Sequence, residues 1–197
     1  MTTPLPFLWP YLVVFWTVYV WAFIPEFRSI HRSTTKVPIP SEDRGSHNVI
    51  LVGASVAMLT AFLVPFVSHW ATLSGNRFAW FFIGIFTMIL GSLLRRHCFR
   101  TLGVFFKGTV TIQADHQVID TGAYRWVRHP SYTASMLIIL GVALSQGNWL
   151  GVVVSLLIAI PTYNYRVTVE EQALLASLGA PYAEFLACRK RYIPFIY

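Results

Sequence analysis

Five apolar stretches alternate with polar segments along the 197 residues, and their lengths set the fold. They run over 6–24, about 49–70, about 78–94, about 131–145 and 149–165, and the longer ones approach the roughly 20 apolar residues a helix needs to cross a bilayer. The first is aromatic-rich and is expected to end at Pro25; with no basic residue before it and no small-residue cleavage site after it, it reads as a retained helix. Pro65 marks a kink near the far end of the second. A short link through Ser74, Gly75 and Asn76 predicts a hairpin of the second and third, and the tight turn Gln146-Gly147-Asn148 predicts one of the fourth and fifth. The last two are short for full crossings, which points to a re-entrant or locally thinned arrangement.

Between these stretches lie segments of a different kind. In 26–48, Pro38 and Pro40 argue against regular structure. The segment 95–130 is too long for a simple turn, and its β-prone pieces at 109–112 and 117–119 predict a small hairpin or cap. After the fifth stretch, Leu174, Leu175 and Leu178 fall on one side of 166–178, which predicts an amphipathic helix at the interface. Gly179, Ala180 and Pro181 break it, and 182–188 suits a further short helix. The pattern predicts an all-α integral membrane protein with about five transmembrane helices, the last two a hairpin, plus a cytoplasmic loop and a C-terminal amphipathic helix. It forms one membrane domain over 1–197, with three N-terminal spans in 1–94.

Composition agrees: 55% of residues are hydrophobic and 12% charged, against about a quarter charged in soluble domains. The net charge of +7 invites a nucleic-acid reading, but the basic residues are spread over separate loops and no nucleic-acid module is present. Topology accounts for them. Of 15 Lys and Arg, four lie in 26–48, six in 95–130 and four after 165, leaving Arg77 alone on the other side; all eight acidic residues share those three segments. The positive-inside rule then puts the N-terminus outside and the C-terminus in the cytoplasm. Cys98 and Cys188 carry neither metal spacing nor a disulfide framework and are expected to be unpaired in a reducing cytoplasm. Gly53, Ala54 and Ala57 could pack helices within one chain or between two, so oligomeric state stays open.

The densest chemistry lies in 122–132, GAYRWVRHPSY, between membrane-length stretches. Its aromatic faces can stack on a purine or cover an organic cation, and Arg125 and Arg128 offer forked donors for a carboxylate or phosphate. Pro130 biases His129 away from helical angles, so the next helix is expected to start near Ser131, a capping residue type. Arginines and a tryptophan at a helix end also serve as plain interfacial anchors. Arg166 and Glu170 are four apart and can pair on one helix face, with Glu171 pointing elsewhere. The short helical hairpin between the two clusters brings them close together.

The run HQVIDTGAYRWVRHPSY, a hairpin, and then RVTVEEQALLASLGAPYAEFLACRKRYIP resembles the C-terminal region of the isoprenylcysteine carboxyl methyltransferases and related membrane methyltransferases. The likeness covers about 102–197 and makes 95–197 the cofactor-binding catalytic region. It implies S-adenosylmethionine as cofactor, held by His116, Tyr124, Arg128, His129, Pro130 and Tyr132, with Glu170 and Glu171 closing the site. It further implies Arg166 and Arg191 beside the cofactor or substrate carboxylate, with Arg166 and Glu170 as the catalytic pair. The acceptor would be a lipophilic molecule reached from the bilayer, most simply the carboxylate of a prenylated cysteine, with no metal involved.

A carboxylate acceptor is already a nucleophile and needs alignment and exclusion of water rather than a base. His129 and His116 are then hydrogen-bonding residues; an amine or thiol acceptor would require one to take a proton. Methylation of another lipid amine or thiol, or sterol-type reduction with NADPH, are the alternative readings.

Overall fold

The structure is a computed structural model that describes residues 3–32, 43–103 and 118–194. It is all-helical there: α1 (Tyr11–Arg32), α2 (Ser46–Val67), α3 (Arg77–Leu102), α4 (Pro130–Ser145), α5 (Trp149–Leu178) and α6 (Ala180–Cys188), with short 3-10 turns between. Three helices, α2, α3 and α5, are long and apolar enough to cross a membrane; the apolar parts of α1 (Tyr11–Ile24) and α4 are shorter. At 1.5 Å per residue, the 16 residues of α4 span about 24 Å. The predicted hairpin at 109–112 and 117–119 lies almost wholly outside the described residues, as does His116.

Two boundaries differ from the sequence reading, and at a third only the cap differs. The first helix continues through Pro25 to Arg32. The predicted tail helix at 166–178 is the continuation of α5, an unbroken 30-residue helix that also runs through Pro161. No glycine lies between Gly151 and Gly179, so the backbone hydrogen bonds run on past 166 until Gly179, with φ +60°. Finally, α4 starts at Pro130, with His129 at the N-cap making no side-chain capping bond. Proline suits that first position because its missing N–H would have no helical partner there. Ser131 does not cap; its hydroxyl accepts from Arg95 Nη1 at 2.6 Å.

The expected hairpin of the second and third stretches does not form. Although consecutive, α2 and α3 hardly touch; α3 packs along α4, α2 along α5, and α1 against α3. Small residues decide this partnering by letting backbones approach. A Cβ built on Gly141 of α4 would lie 2.6 Å from Met88 N and 2.7 Å from Gly84 O of α3, and one on Gly91 would lie 2.8 Å from Ala134 O. On the other side Gly53 of α2 faces Thr162 of α5. These small residues therefore pack helices within one chain. Gly141→Ala should cost about 1–3 kcal/mol, since backbone cannot yield as a flexible side chain does. Gly151→Ala, whose Cβ would meet ordinary contacts at 3.6 Å, should stay within about 0.5 kcal/mol. Thermal melts of the two variants in one detergent check the contrast.

Phe15, Phe81, Met88 and Val142 fill the fully buried centre between α1, α3 and α4. Polar ties secure both ends. At one end the Asn148 side chain accepts from Gly151 N at 2.8 Å and donates to Ser68 O at 2.8 Å, joining α5 to the end of α2. At the other, Arg96 of α3 lies over the Trp21 ring at 4.3 Å and donates to the Trp21 carbonyl, and Ser92 donates to Ala22 O at 3.2 Å. With the α4–α5 turn at the first end, the start of α4 and the middle of α5 meet at the second.

Candidate active site

Four pieces of chain converge at that second end. His129 and Arg128 lead into α4, Glu170 and Glu171 come from α5, Asp43 and Ser46 from the start of α2, and Arg191 from beyond α6. Backbone pairing docks the last piece: Arg128 N donates to Lys190 O and His129 N to Arg191 O, each at 2.9 Å, and Val127 and Lys190 form a parallel bridge.

Glu171 is the hub. Its Oε1 lies 3.0 Å from His129 Nε2 and 3.1 Å from Arg128 Nε, while Oε2 accepts from Arg191 Nη2 at 2.7 Å and Nε at 3.2 Å. The Arg128 contact is one of charge, because its buried Nε–H is not aimed at a hydrogen-bond acceptor; Arg128 Nη1 donates to Leu186 O at 2.9 Å. One carboxylate thus gathers a guanidinium and an imidazole from the approach to α4 and a second guanidinium from the tail. Arg191 needed the strand-like docking of 190–191 to reach it.

A second set runs beside the first. Arg166 Nη1 donates to Asp43 Oδ1 at 2.7 Å and to Ser46 Oγ at 2.6 Å, and its Nε donates to the Tyr132 hydroxyl at 3.2 Å. Tyr132 in turn donates to Glu170 Oε2 at 2.6 Å. The expected Arg166–Glu170 relation is therefore bridged by a tyrosine, and the arginine, only 3% exposed, is turned to Asp43. The sequence reading singles out neither Asp43 nor Ser46. Their spacing at the head of an apolar run is a signal that could have found them: Asp43 Oδ2 accepts His47 N at 2.9 Å, at the first turn of α2.

Rings line these sets. His129 and Tyr132 stack at 5.8 Å, and Tyr132 meets Tyr163 at 5.5 Å. Tyr182 of α6 is buried alongside; burial first, then the charges of Glu170 and Glu171, push its phenol up against the opposing Arg128 and Arg191. Tyr124 is buried near Cys98 of α3, and burial, then Cys98 and Glu170, raise its phenol too. Both stay neutral donors near pH 7. Pro130 is buried as the first residue of α4. Arg125 stands apart: it is exposed, its guanidinium lies 5.8 Å over the exposed Trp126 ring, and its carbonyl accepts from Arg189.

Fold and site together define a class: an integral membrane protein of packed helices with an arginine, histidine and glutamate cluster gathered at one end. Residues 82–176 match the model of the isoprenylcysteine carboxyl methyltransferase (ICMT) family. The protein-S-isoprenylcysteine O-methyltransferase of Saccharomyces cerevisiae is 32% identical over 116 residues, 58% of this chain and 48% of that protein. That of Tribolium castaneum is 31% identical over 116 residues, 58% of this chain and 41% of the relative. This chain thus aligns with about half the length of those relatives. A solved structure of the eukaryotic intramembrane Ras methyltransferase ICMT shares the fold, with TM-score 0.65 and 24% identity over 91% of this chain and 64% of that one. Arg128, His129, Tyr132, Arg166, Glu170 and Glu171 lie inside the family segment; Asp43, Ser46 and Arg191 lie outside it.

Proposed function

We propose that this chain transfers a methyl group from S-adenosylmethionine to a lipophilic acceptor reached from the bilayer, most simply the carboxylate of a prenylated cysteine. The observation that carries the reading is the convergence of His129, Arg128 and Arg191 on Glu171, at the end of a membrane helix bundle whose residues 82–176 match a family named for this reaction.

The residues present fit the cofactor. Arg128 Nε is a buried donor with no hydrogen-bond acceptor among the described residues, which suits a carboxylate. Glu170 is half-buried, with lone pairs left for an ammonium or ribose hydroxyls. The His129, Tyr132 and Tyr182 rings suit an adenine or a cation. When bound, S-adenosylmethionine supplies an electrophilic methyl on a sulfonium sulfur. The chain's own residues then bind, orient and exclude water. Arg191, more open than Arg166, offers its guanidinium to an acceptor carboxylate, and Arg166 fixes the Tyr132 hydroxyl. The His129 contact with Glu171 supports a hydrogen-bonding role for that imidazole, because a carboxylate acceptor has no proton to lose.

The bias of basic residues supports a cytoplasmic site and C-terminus with the N-terminus outside, the odd one, Arg77, being bonded to Thr3 O at the opposite end. Calorimetric titration with S-adenosylhomocysteine in detergent, followed by methylation of a small prenylated cysteine, tests the reading. Binding and turnover are expected, with Arg128→Ala folded but weakened about 10- to 100-fold toward the nucleoside, the worth of a hydrogen bond to a charged group. Absence of binding by the wild-type chain would sink it.

A further inference from the structure

Asp43 is wholly buried, yet it lies outside the segment matched to the family, on the far side of Arg166 from the other site residues. Its carboxylate is held on both oxygens: Oδ2 by His47 N at 2.9 Å, Oδ1 by Ser46 Oγ at 3.2 Å and by Arg166 Nη1 at 2.7 Å. The first turn of α2 thus fixes the carboxylate, and the carboxylate fixes the arginine. Arg166 and Glu170 are four apart on one helix, the spacing at which the two side chains reach each other directly. Such a pair would neutralise Glu170. Instead the guanidinium is drawn the other way, and its path to Glu170 passes through the Tyr132 hydroxyl. Asp43 takes the direct ion pair with Arg166, and Glu170 feels the guanidinium only across the Tyr132 hydroxyl.

We propose that Asp43 is a positioning residue of the site: by holding Arg166 against Ser46 and Tyr132 it withholds that arginine from Glu170, which is thereby left to bind the ammonium group of the cofactor. This rests on the methyltransferase reading and adds to it a part for the N-terminal half of the chain. Ser46 completes the hold, since Arg166 Nη1 is shared between its hydroxyl and Asp43. In Asp43→Asn the carboxamide keeps the shape and drops the charge. Arg166 then relaxes toward Glu170 and competes with the incoming ammonium.

The test compares two probes by calorimetry in detergent: S-adenosylhomocysteine, which carries the ammonium, and methylthioadenosine, which lacks the amino-acid tail. Asp43→Asn is expected to weaken the first about tenfold and leave the second unchanged. Glu170→Gln should do the same, and Asp43→Asn/Glu170→Gln should be no weaker than Glu170→Gln alone, because one variant acts through the other. Equal weakening of both probes, or additive losses in the double variant, would reduce Asp43 to a structural tie and overturn the proposal. Wild-type binding of S-adenosylhomocysteine with unchanged Asp43→Asn would also overturn it, leaving the methyltransferase reading intact. No binding by the wild type would remove that reading and the proposal with it. Should Asp43→Asn fail to fold, Ser46→Ala decides: about threefold selective weakening toward S-adenosylhomocysteine supports the hold, and unchanged affinity overturns it.

Discussion

Glu171→Ala is expected to lower stability by about 3–5 kcal/mol, because it strands two guanidinium groups around one largely buried position. Arg128 and Arg191 would keep their charges with side chains 15% and 26% exposed, and His129 would lose the partner of its Nε2. The loss should spread beyond the carboxylate. Arg191 is what ties the docked segment 190–191 to α5, so its release should loosen the backbone pairing that sets the start of α4. Glu171→Gln, which keeps one acceptor and drops the charge, should fall between. A drop in melting temperature ordered Ala over Gln, together with faster amide exchange at His129, is the expected measurement; an unchanged melt for Glu171→Ala would show that the cluster holds nothing together.

Arg166→Ala should have an effect of the same size for the opposite reason. It removes the guanidinium that faces Asp43, 0% exposed, and breaking a buried pair by removing one partner costs about 3–5 kcal/mol. Arg166→Lys keeps the charge, but an ammonium lacks the planar fork that here reaches Asp43, Ser46 and Tyr132 from one group. Intermediate loss of stability is expected, with the Tyr132 hydroxyl no longer held. The stranded charge can be separated from the lost side chain: Asp43→Asn in the Arg166→Ala background should recover part of the melting temperature, since no uncompensated charge is then buried. If the double variant is as unstable as Arg166→Ala, packing rather than charge is what the arginine contributes.

Much of the site could be read in order along the chain because its residues sit where two apolar stretches end. Arg128, His129 and Tyr132 precede or open α4, Glu170 and Glu171 follow the apolar part of α5, and a turn of a few residues joins those helices. Proximity of the two groups follows from that connection alone. The residue types limited their partners as well, since neighbouring glutamates on a helix face different ways: Glu170 meets Tyr132 and Glu171 meets His129.

Which arginine meets which acid was beyond that logic. Local spacing favours Arg166 with Glu170, but Asp43, 123 residues away in sequence, takes the guanidinium because α2 packs along α5 and delivers its first turn there. Helix partnering was misjudged for a related reason. Short links suggest that neighbours in sequence pair in space, yet between apolar surfaces in a membrane little distinguishes one neighbour from another until backbones can approach closely. Gly84, Gly91 and Gly141 give α3 and α4 that approach.

The sequence by itself determined that the chain is a helical membrane protein, where its apolar helices lie, and which stretch carries its densest run of polar and aromatic side chains, because hydrophobic length and local residue type act within a few turns of chain. Only the tertiary structure decided that α3 pairs with α4, that Arg191 docks through a backbone bridge, and that Asp43 claims Arg166. Those are choices among distant surfaces and charges, settled by close packing and by the need of each buried charge for a partner.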